Sequence, residues 1–169
     1  MLRKDLAQAD AVANRVHPSY PEDDAVMAER QRLYPAGCYV LADGERLFGY
    51  LLSHPWRYGH SPPLNTFLQA IPERPTTYYL HDIALLADVR QSGEGSRAVE
   101  LVIAHALSRA YQSVSLVAVN RSTEFWIKHG FAIVTEATLS EKLSSYGEGA
   151  HFMVRHLSLN QPRPRIALS

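Results

Sequence analysis

The sequence predicts one α/β domain, and three observations carry that reading. Amphipathic stretches of helical period open the chain. Two apolar runs at 38–41 and 47–52 flank Asp43-Gly44, the signal of a tight antiparallel hairpin. Between Tyr78 and Val119 a strand, a glycine turn, a helix and a second strand follow one another, the order of a crossover that joins parallel strands. With 169 residues, 46% of them hydrophobic and 20% charged, the chain suffices for one substantial core and is too short for two ordinary domains. The domain is expected to span 1–159. The segment 160–169, with Pro162 and Pro164 and no apolar periodicity, is expected to be a mobile tail.

Taken in order, residues 5–16 place Leu6, Ala9, Val12, Ala13 and Val16 on one helical face. That helix stops at His17 because a residue before proline avoids the helical region. A second helix is expected over 22–34, with Val26, Met27, Leu33 and Tyr34 at two-turn spacing and Pro35-Ala36-Gly37 as its end. After the hairpin, 55–75 is rich in Pro, Gly, Ser and Asn, with a short helical piece expected at 64–70. A connection this long is more often functional than idle. Residues 78–86 read as an extended apolar strand, 96–111 as a strong helix and 114–119 as a short apolar strand. A helix over 122–129 ends at Gly130. Strands at 131–137 and 151–157 close the domain.

Charge and composition narrow the function classes. Seventeen basic and seventeen acidic side chains leave no net field to draw the protein to nucleic acid or to an anionic membrane surface, so neither is an expected partner. The N-terminus turns polar at once, and no apolar run approaches the length of a membrane span. Cys38 is the only cysteine, which fits a reducing compartment, and the cytoplasm is the expected location. The eight histidines show no ligand-like spacing, so no metal is expected.

The chemistry concentrates in Arg90-Gln91-Ser92-Gly93-Glu94-Gly95-Ser96, between a strand and a helix. Backbone N–H groups that converge at a helix start form an anion site, aided by the helix dipole. Gly93 and Gly95 let phosphate oxygens approach the backbone, and Ser96 adds a hydroxyl. Taken alone, a glycine pair fits a plain strand-to-helix turn as well as it fits a phosphate cradle. A Walker loop is excluded because no Gly-Lys-Ser/Thr follows. A dinucleotide fingerprint is excluded because its third glycine falls on Ala98.

The loop resembles that of the GCN5-related N-acetyltransferase superfamily, which has Gln or Arg, two variable residues, Gly, one variable residue, then Gly or Ala. Here Arg90, Gly93 and Gly95 stand in those places. A second signature of that superfamily, Asn followed by an aromatic pair and then Gly-Phe, matches Asn120, Phe125-Trp126 and Gly130-Phe131. The resemblance covers about residues 2–157 and implies a mixed, mostly antiparallel sheet flanked by helices, opened between the strands at 78–86 and 114–119. The family's first strand has room only at Met1 to Arg3, so it is short or missing.

The resemblance further implies acetyl-CoA as acyl donor, held by Ile83, Ala84 and Leu85 of the strand and by Arg90, Gln91, Ser92, Gly93, Glu94, Gly95 and Ser96 of the loop. Asn120 would bond the pantetheine chain, with Phe125 and Trp126 packed beside it. The implied reaction is direct transfer to a primary amine of a small molecule or of a peptide amino terminus. Dimers are common in such families, so a homodimer is compatible with the resemblance. Backbone N–H groups of residues 83–85 are the expected donors to the carbonyl oxygen. His81 is the expected base, since imidazole ionises near neutrality. Strand alternation places Tyr79, His81 and Ile83 on one face and Asp82 on the other, where Asp82 would fix a loop or bind the ammonium. The family's usual acid is a Tyr at the position Trp126 occupies, and indole N–H is no useful acid. Tyr146 is a substitute candidate, set against its plainer reading as a hairpin tyrosine. The departure leaves open a non-catalytic acyl-CoA-binding or sensing domain of the same fold, and a plain nucleotide-phosphate binder.

Overall fold

The computed structural model describes residues 1–119, 122–135, 143–147 and 149–158. Asn120 and the tail from Asn160, both singled out in the sequence, lie outside the described residues. The helices are α1 (Leu6–Val16), α2 (Asp24–Leu33), α3 (Glu94–Ser108) and α4 (Thr123–Lys128). The strands are β1 (Cys38–Asp43), β2 (Arg46–Trp56), β3 (Thr77–Leu85), β4 (Ser113–Ala118), β5 (Ala132–Ile133) and β6 (His151–His156). They form one sheet in the order β1-β2-β3-β4-β6-β5, antiparallel throughout except between β3 and β4. The expected mixed, mostly antiparallel sheet is therefore present.

Strand alternation divides the core into two layers. Tyr50, Leu52 and Ala84 pack with Ala9 and Val12 of α1 and Met27 of α2. Leu51, Tyr78 and Leu80 face the other way, onto Val99, Val102, Ile103 and Ala106 of α3. Fully burying each such aliphatic side chain contributes about 1.5–3 kcal/mol, so α3 is held by its apolar stripe and not by propensity alone.

β3 and β4 are joined at one end only. Their register is limited to Tyr78↔Val114 and Tyr79↔Ser115. Beneath those pairs a buried hydroxyl cluster clamps the two strands, with Thr77 Oγ1 donating to Ser115 Oγ at 3.1 Å and Ser113 Oγ donating to Thr77 Oγ1 at 3.0 Å. β4 pairs with β6 along its whole length, whereas beyond Tyr79 and Ser115 β3 and β4 are unpaired and the strands part.

Of the two alternatives for the first strand, short or missing, the second holds: residues 1–2 carry no strand, and Arg3–Asp5 is a 3-10 turn in which the Leu2 N–H donates to Asp5 Oδ2 at 2.6 Å. Three other local expectations need correction. The hairpin loop sits one residue later than expected, because Asp43 pairs with Arg46 and leaves Gly44 and Glu45 to turn. The segment 64–70 is not helical. Its amides are taken by carboxylates of α2 and the residues before it: Leu68 and Gln69 N–H donate to Glu29 at 2.6 and 3.0 Å, and Asn65 N–H donates to Glu22 at 2.9 Å. Those capped amides cannot also serve a helical ladder. Finally, the strand expected at 131–137 shrinks, within the described residues, to β5.

Candidate active site

On the open side of β3 a groove of about 410 Å³, walled by Phe125 and Trp126 of α4, runs up to the glycine loop. Leu86 N–H donates to Phe48 O on the β2 side at 2.8 Å. Successive N–H groups of a strand alternate, so those of Ile83 and Leu85 point into the opening and that of Ala84 points to β2. Arg90 Nε reaches the Leu85 carbonyl at 2.9 Å from the open side, consistent with that direction. The side chains of Ile83 and Leu85 line the groove, while Ala84 is fully buried under α1.

At the head of the groove the loop is shaped for a ligand that approaches main chain. Gly93 has φ +92° and precedes the first helical residue, so an L side chain there is strained. A Cβ on Gly95 would meet Phe125 Cζ at 3.4 Å, so the small residue keeps the ring and the helix start close together. Arg97 N–H is the donor to Gly93 O at 3.0 Å, and the N–H groups before it have no place in the helical ladder. Ser92 is turned back, its hydroxyl donating to Val89 O at 2.7 Å. Gln91, Gly93, Gly95 and Ser96 line the groove. Glu94 opens α3 beside them. This donor set suits an extended, phosphorylated ligand such as coenzyme A: amides along one strand for its amide arm, and a helix start for its pyrophosphate.

Next to the groove lies a cleft of about 160 Å³, and Ile83, Ser122 and Trp126 line both. The floor of the cleft is a β-bulge. Leu52 pairs with Asp82 and Ser53 with Leu80, which leaves His81 as an extra residue in β3. The bulge overturns the expected alternation: His81 and Asp82 both face the α1–α2 layer, and Ile83 faces the α3 layer. Each of the two side chains thus acquires a charged partner. His81 Nε2 lies 3.1 Å from Glu22 Oε2, and Asp82 Oδ1 lies 3.0 Å from His17 Nε2. Tyr50 donates its hydroxyl to Asp82 Oδ2.

The electrostatics follow from those contacts. Burial alone would raise Glu22, but the charge and hydrogen bond of His81, the Asn65 N–H and Arg30 hold its carboxyl at about 2. An ionised carboxylate only accepts, so Nε2 of His81 carries the proton. Its Nδ1 is buried and has no hydrogen-bond partner among the described residues. For His17, burial opposes the charged form, yet the hydrogen bond and charge of Asp82 and the Ile83 carbonyl outweigh it and raise the imidazole above its ordinary value. His54, whose ring centroid is 6.2 Å from that of His81, is pushed down to about 3 by burial and by the charge of His81, and so stays neutral.

Tyr146 lies in the cleft wall, 7% exposed, with its hydroxyl donated to Pro62 O at 2.6 Å and its ionisation pushed up by burial. Trp126 stands where groove and cleft meet, its Nε1–H donated to Ser122 Oγ at 3.0 Å. The sequence reading missed His17, Glu22 and Tyr50. Glu22 is 59 residues from His81, and no local motif marks either member of that pair. Among the described residues no group of three or more His, Cys, Asp and Glu could hold a metal ion, and no helix is long and apolar enough to cross a membrane.

Comparison with known proteins places this geometry. The model of the acetyltransferase (GNAT) family matches residues 4–131. No curated protein matches by sequence. Among solved structures, a GphF GNAT-like decarboxylase in complex with isobutyryl-CoA superposes with a TM-score of 0.76 at 17% identity, over 94% of this chain and 97% of that one. Ard1 from Thermoplasma volcanium gives 0.69 at 16% identity, over 94% and 95%. The ribosomal-protein-S18-alanine N-acetyltransferase from Escherichia coli gives 0.65 at 14% identity, over 99% and 96%. At these identities the structural likeness speaks for the fold. The family match spans the glycine loop, the parted strands and the aromatic pair together, and the chain belongs to the acetyltransferase (GNAT) family.

Proposed function

We propose that the protein is an acetyl-CoA-dependent N-acetyltransferase acting on a primary amine of a small molecule or of a protein amino terminus. The observation that carries this reading is the Glu22–His81 pair, at 3.1 Å, in a cleft that shares Ile83 and Trp126 with the coenzyme groove.

Acetyl-CoA, when bound, supplies a thioester at the junction of groove and cleft. An amine arriving through the cleft is cationic at neutral pH, and the carboxylates of Glu22 and Asp82 favour that charge. Glu22 fixes the His81 ring through Nε2 at the floor of the cleft. His81 is the side chain that takes the ammonium proton, which gives the nitrogen a lone pair for direct attack. The N–H groups of Ile83 and Leu85 point into the groove, where charge gathers on the carbonyl oxygen. His17, whose Nε2 lies 3.0 Å from Asp82 Oδ1 and whose ionisation that carboxylate raises, ties the end of α1 to the bulge and so keeps these amides in place. Trp126 has no proton to give the departing thiolate, and Tyr146 gives its own to Pro62. The thiolate's proton therefore comes from solvent.

Trp126 favours one second reading, an acyl-CoA-binding domain without turnover. Thiol release from acetyl-CoA across a panel of amines separates the two. Release that depends on an amine and falls by about 10²–10⁴ in His81→Gln supports the transferase. Tight coenzyme binding with no amine-dependent release supports the binding domain. Stabilisation by ATP equal to that by acetyl-CoA would remove the coenzyme reading itself.

A further inference from the structure

The coenzyme reading of the groove is the premise here, and the residue concerned is His129, which caps the C-terminal end of α4. Its imidazole reaches across to the first turn of α3: Nε2 lies 3.2 Å from Ser96 Oγ. The ring also packs on Phe125, with centroids 4.6 Å apart, and Phe125 is the ring that Gly95 faces. A titratable side chain therefore stands directly behind Ser96 and Phe125, two residues that line the groove at the first turn of α3.

The charges around that turn are mixed, with Glu94, Arg97 and Glu100 on α3, Arg90 in the loop and Arg155 on β6. A pyrophosphate brings two negative charges, and the loop adds the carboxylate of Glu94. Arg90 has its Nε engaged with the Leu85 carbonyl. Three elements set the state of His129 before a ligand arrives. Burial in α4 and the guanidinium of Arg155 on β6, whose Nη1 donates to His129 O at 2.9 Å, depress its ionisation below 6.5, and Glu100 on α3 only partly opposes them. The free protein near neutrality thus presents a neutral imidazole. An anion on the Ser96 turn reverses the local field and favours the imidazolium, which also gains a charge-assisted bond.

We propose that His129 takes up a proton from solvent as the coenzyme's pyrophosphate settles on the first turn of α3, so that coenzyme affinity is linked to pH through this one side chain. Because binding consumes a proton, affinity is greatest at low pH and declines as pH rises through the ionisation of the bound form.

Dephospho-CoA is the appropriate probe. It keeps the pyrophosphate and lacks the 3′-phosphate, whose own ionisation near pH 6 would blur the linkage. Titration calorimetry in two buffers of different ionisation enthalpy should show uptake of a fraction of a proton per site near pH 6.5. The dissociation constant should weaken on the order of tenfold between pH 6 and pH 8. In His129→Gln, which keeps a hydrogen-bonding group but does not titrate, uptake and pH slope disappear while binding persists. In the unmodified protein, the His129 C2–H resonance should titrate at higher pH with dephospho-CoA than without it. Binding with no proton uptake, or uptake unchanged in His129→Gln, overturns the proposal and leaves the coenzyme reading standing. No binding of either CoA or dephospho-CoA overturns both.

Discussion

Replacing Glu22 with Gln gives the sharpest test of the pair at the cleft. The carboxylate accepts from two donors at once, His81 Nε2 at 3.1 Å and Asn65 N–H at 2.9 Å. An amide of the same shape offers one acceptor, so one of those bonds must be lost or His81 must change tautomer. The displacement of the Glu22 carboxyl from 4.5 to about 2 corresponds to about 3 kcal/mol of favourable interaction in the folded state, and the side chain is only 20% exposed. Glu22→Gln should therefore lower unfolding free energy at pH 7 by about 2–3 kcal/mol. The sign of the pH dependence is fixed. A depressed carboxyl contributes stability above its ordinary value, and loses it as pH falls from 4.5 toward about 2. Urea denaturation of both proteins at several pH values measures the gap, which should be full at pH 7 and shrink across that window. Acetyl transfer should fall by at least tenfold with the KM for acetyl-CoA unchanged, because the carboxylate orients the base and does not line the coenzyme groove. A gap below about 0.5 kcal/mol at pH 7, or one that persists unchanged at pH 2, would refute the reasoning.

Three further outcomes follow from the same geometry. Gly93→Val puts a β-branched side chain at φ +92°, a strain of at least about 1–2 kcal/mol at the helix start, and should eliminate measurable CoA binding by calorimetry; retained affinity sinks the loop assignment. Asp82→Asn removes the partner that raises His17. That contribution is present below the ordinary imidazole value of 6.5 and is lost as pH rises through the raised one, so the variant should be about 1–2 kcal/mol less stable at pH 6 and closer to the parent at pH 9. Trp126→Tyr places a phenol at the junction of groove and cleft. If solvent protonation of the thiolate limits turnover, kcat should rise about tenfold, and an unchanged kcat assigns the limit to another step.

The proposed coenzyme half of the site was far more legible in the sequence than the proposed acceptor half, for a physical reason. A phosphate cradle is local. Its glycines, its serine and its helix start are neighbours in the chain, so spacing alone reports them, and the structure brings Gly93, Gly95 and Ser96 to one groove. The proposed base and its carboxylate are not local. Glu22 meets His81 across 59 residues, and each on its own is an unremarked polar residue. Period-two alternation failed at Asp82 because a bulge depends on how β2 and β3 pair, with Leu52 opposite Asp82 and Ser53 opposite Leu80. Nothing within 77–85 marks that slip. The helix expected at 64–70 failed likewise: Glu29 and Glu22, not neighbours along the segment, decide where its amides go.

One consequence joins the long loop to the chemistry. Residues 57–76 have no regular structure, yet Asn65 and Gln69 hold positive φ values of 53° and 67°. Such conformations cost free energy and persist only where partners over-determine them. Those partners come from α2 and the residues before it: Glu22 on Asn65, Arg30 on the Thr66 carbonyl at 2.8 Å, and Glu29 on Leu68 and Gln69. Leu64, beside these contacts, lines the cleft. Glu22 thus serves the wall and the base with its two oxygens, so a shift of the wall that breaks the Asn65 bond also disturbs His81. In the proposed mechanism acceptor preference and proton removal are therefore coupled through one side chain. Substitutions at Leu64, which touch neither oxygen, are the changes that should alter the choice of amine while leaving the base in place.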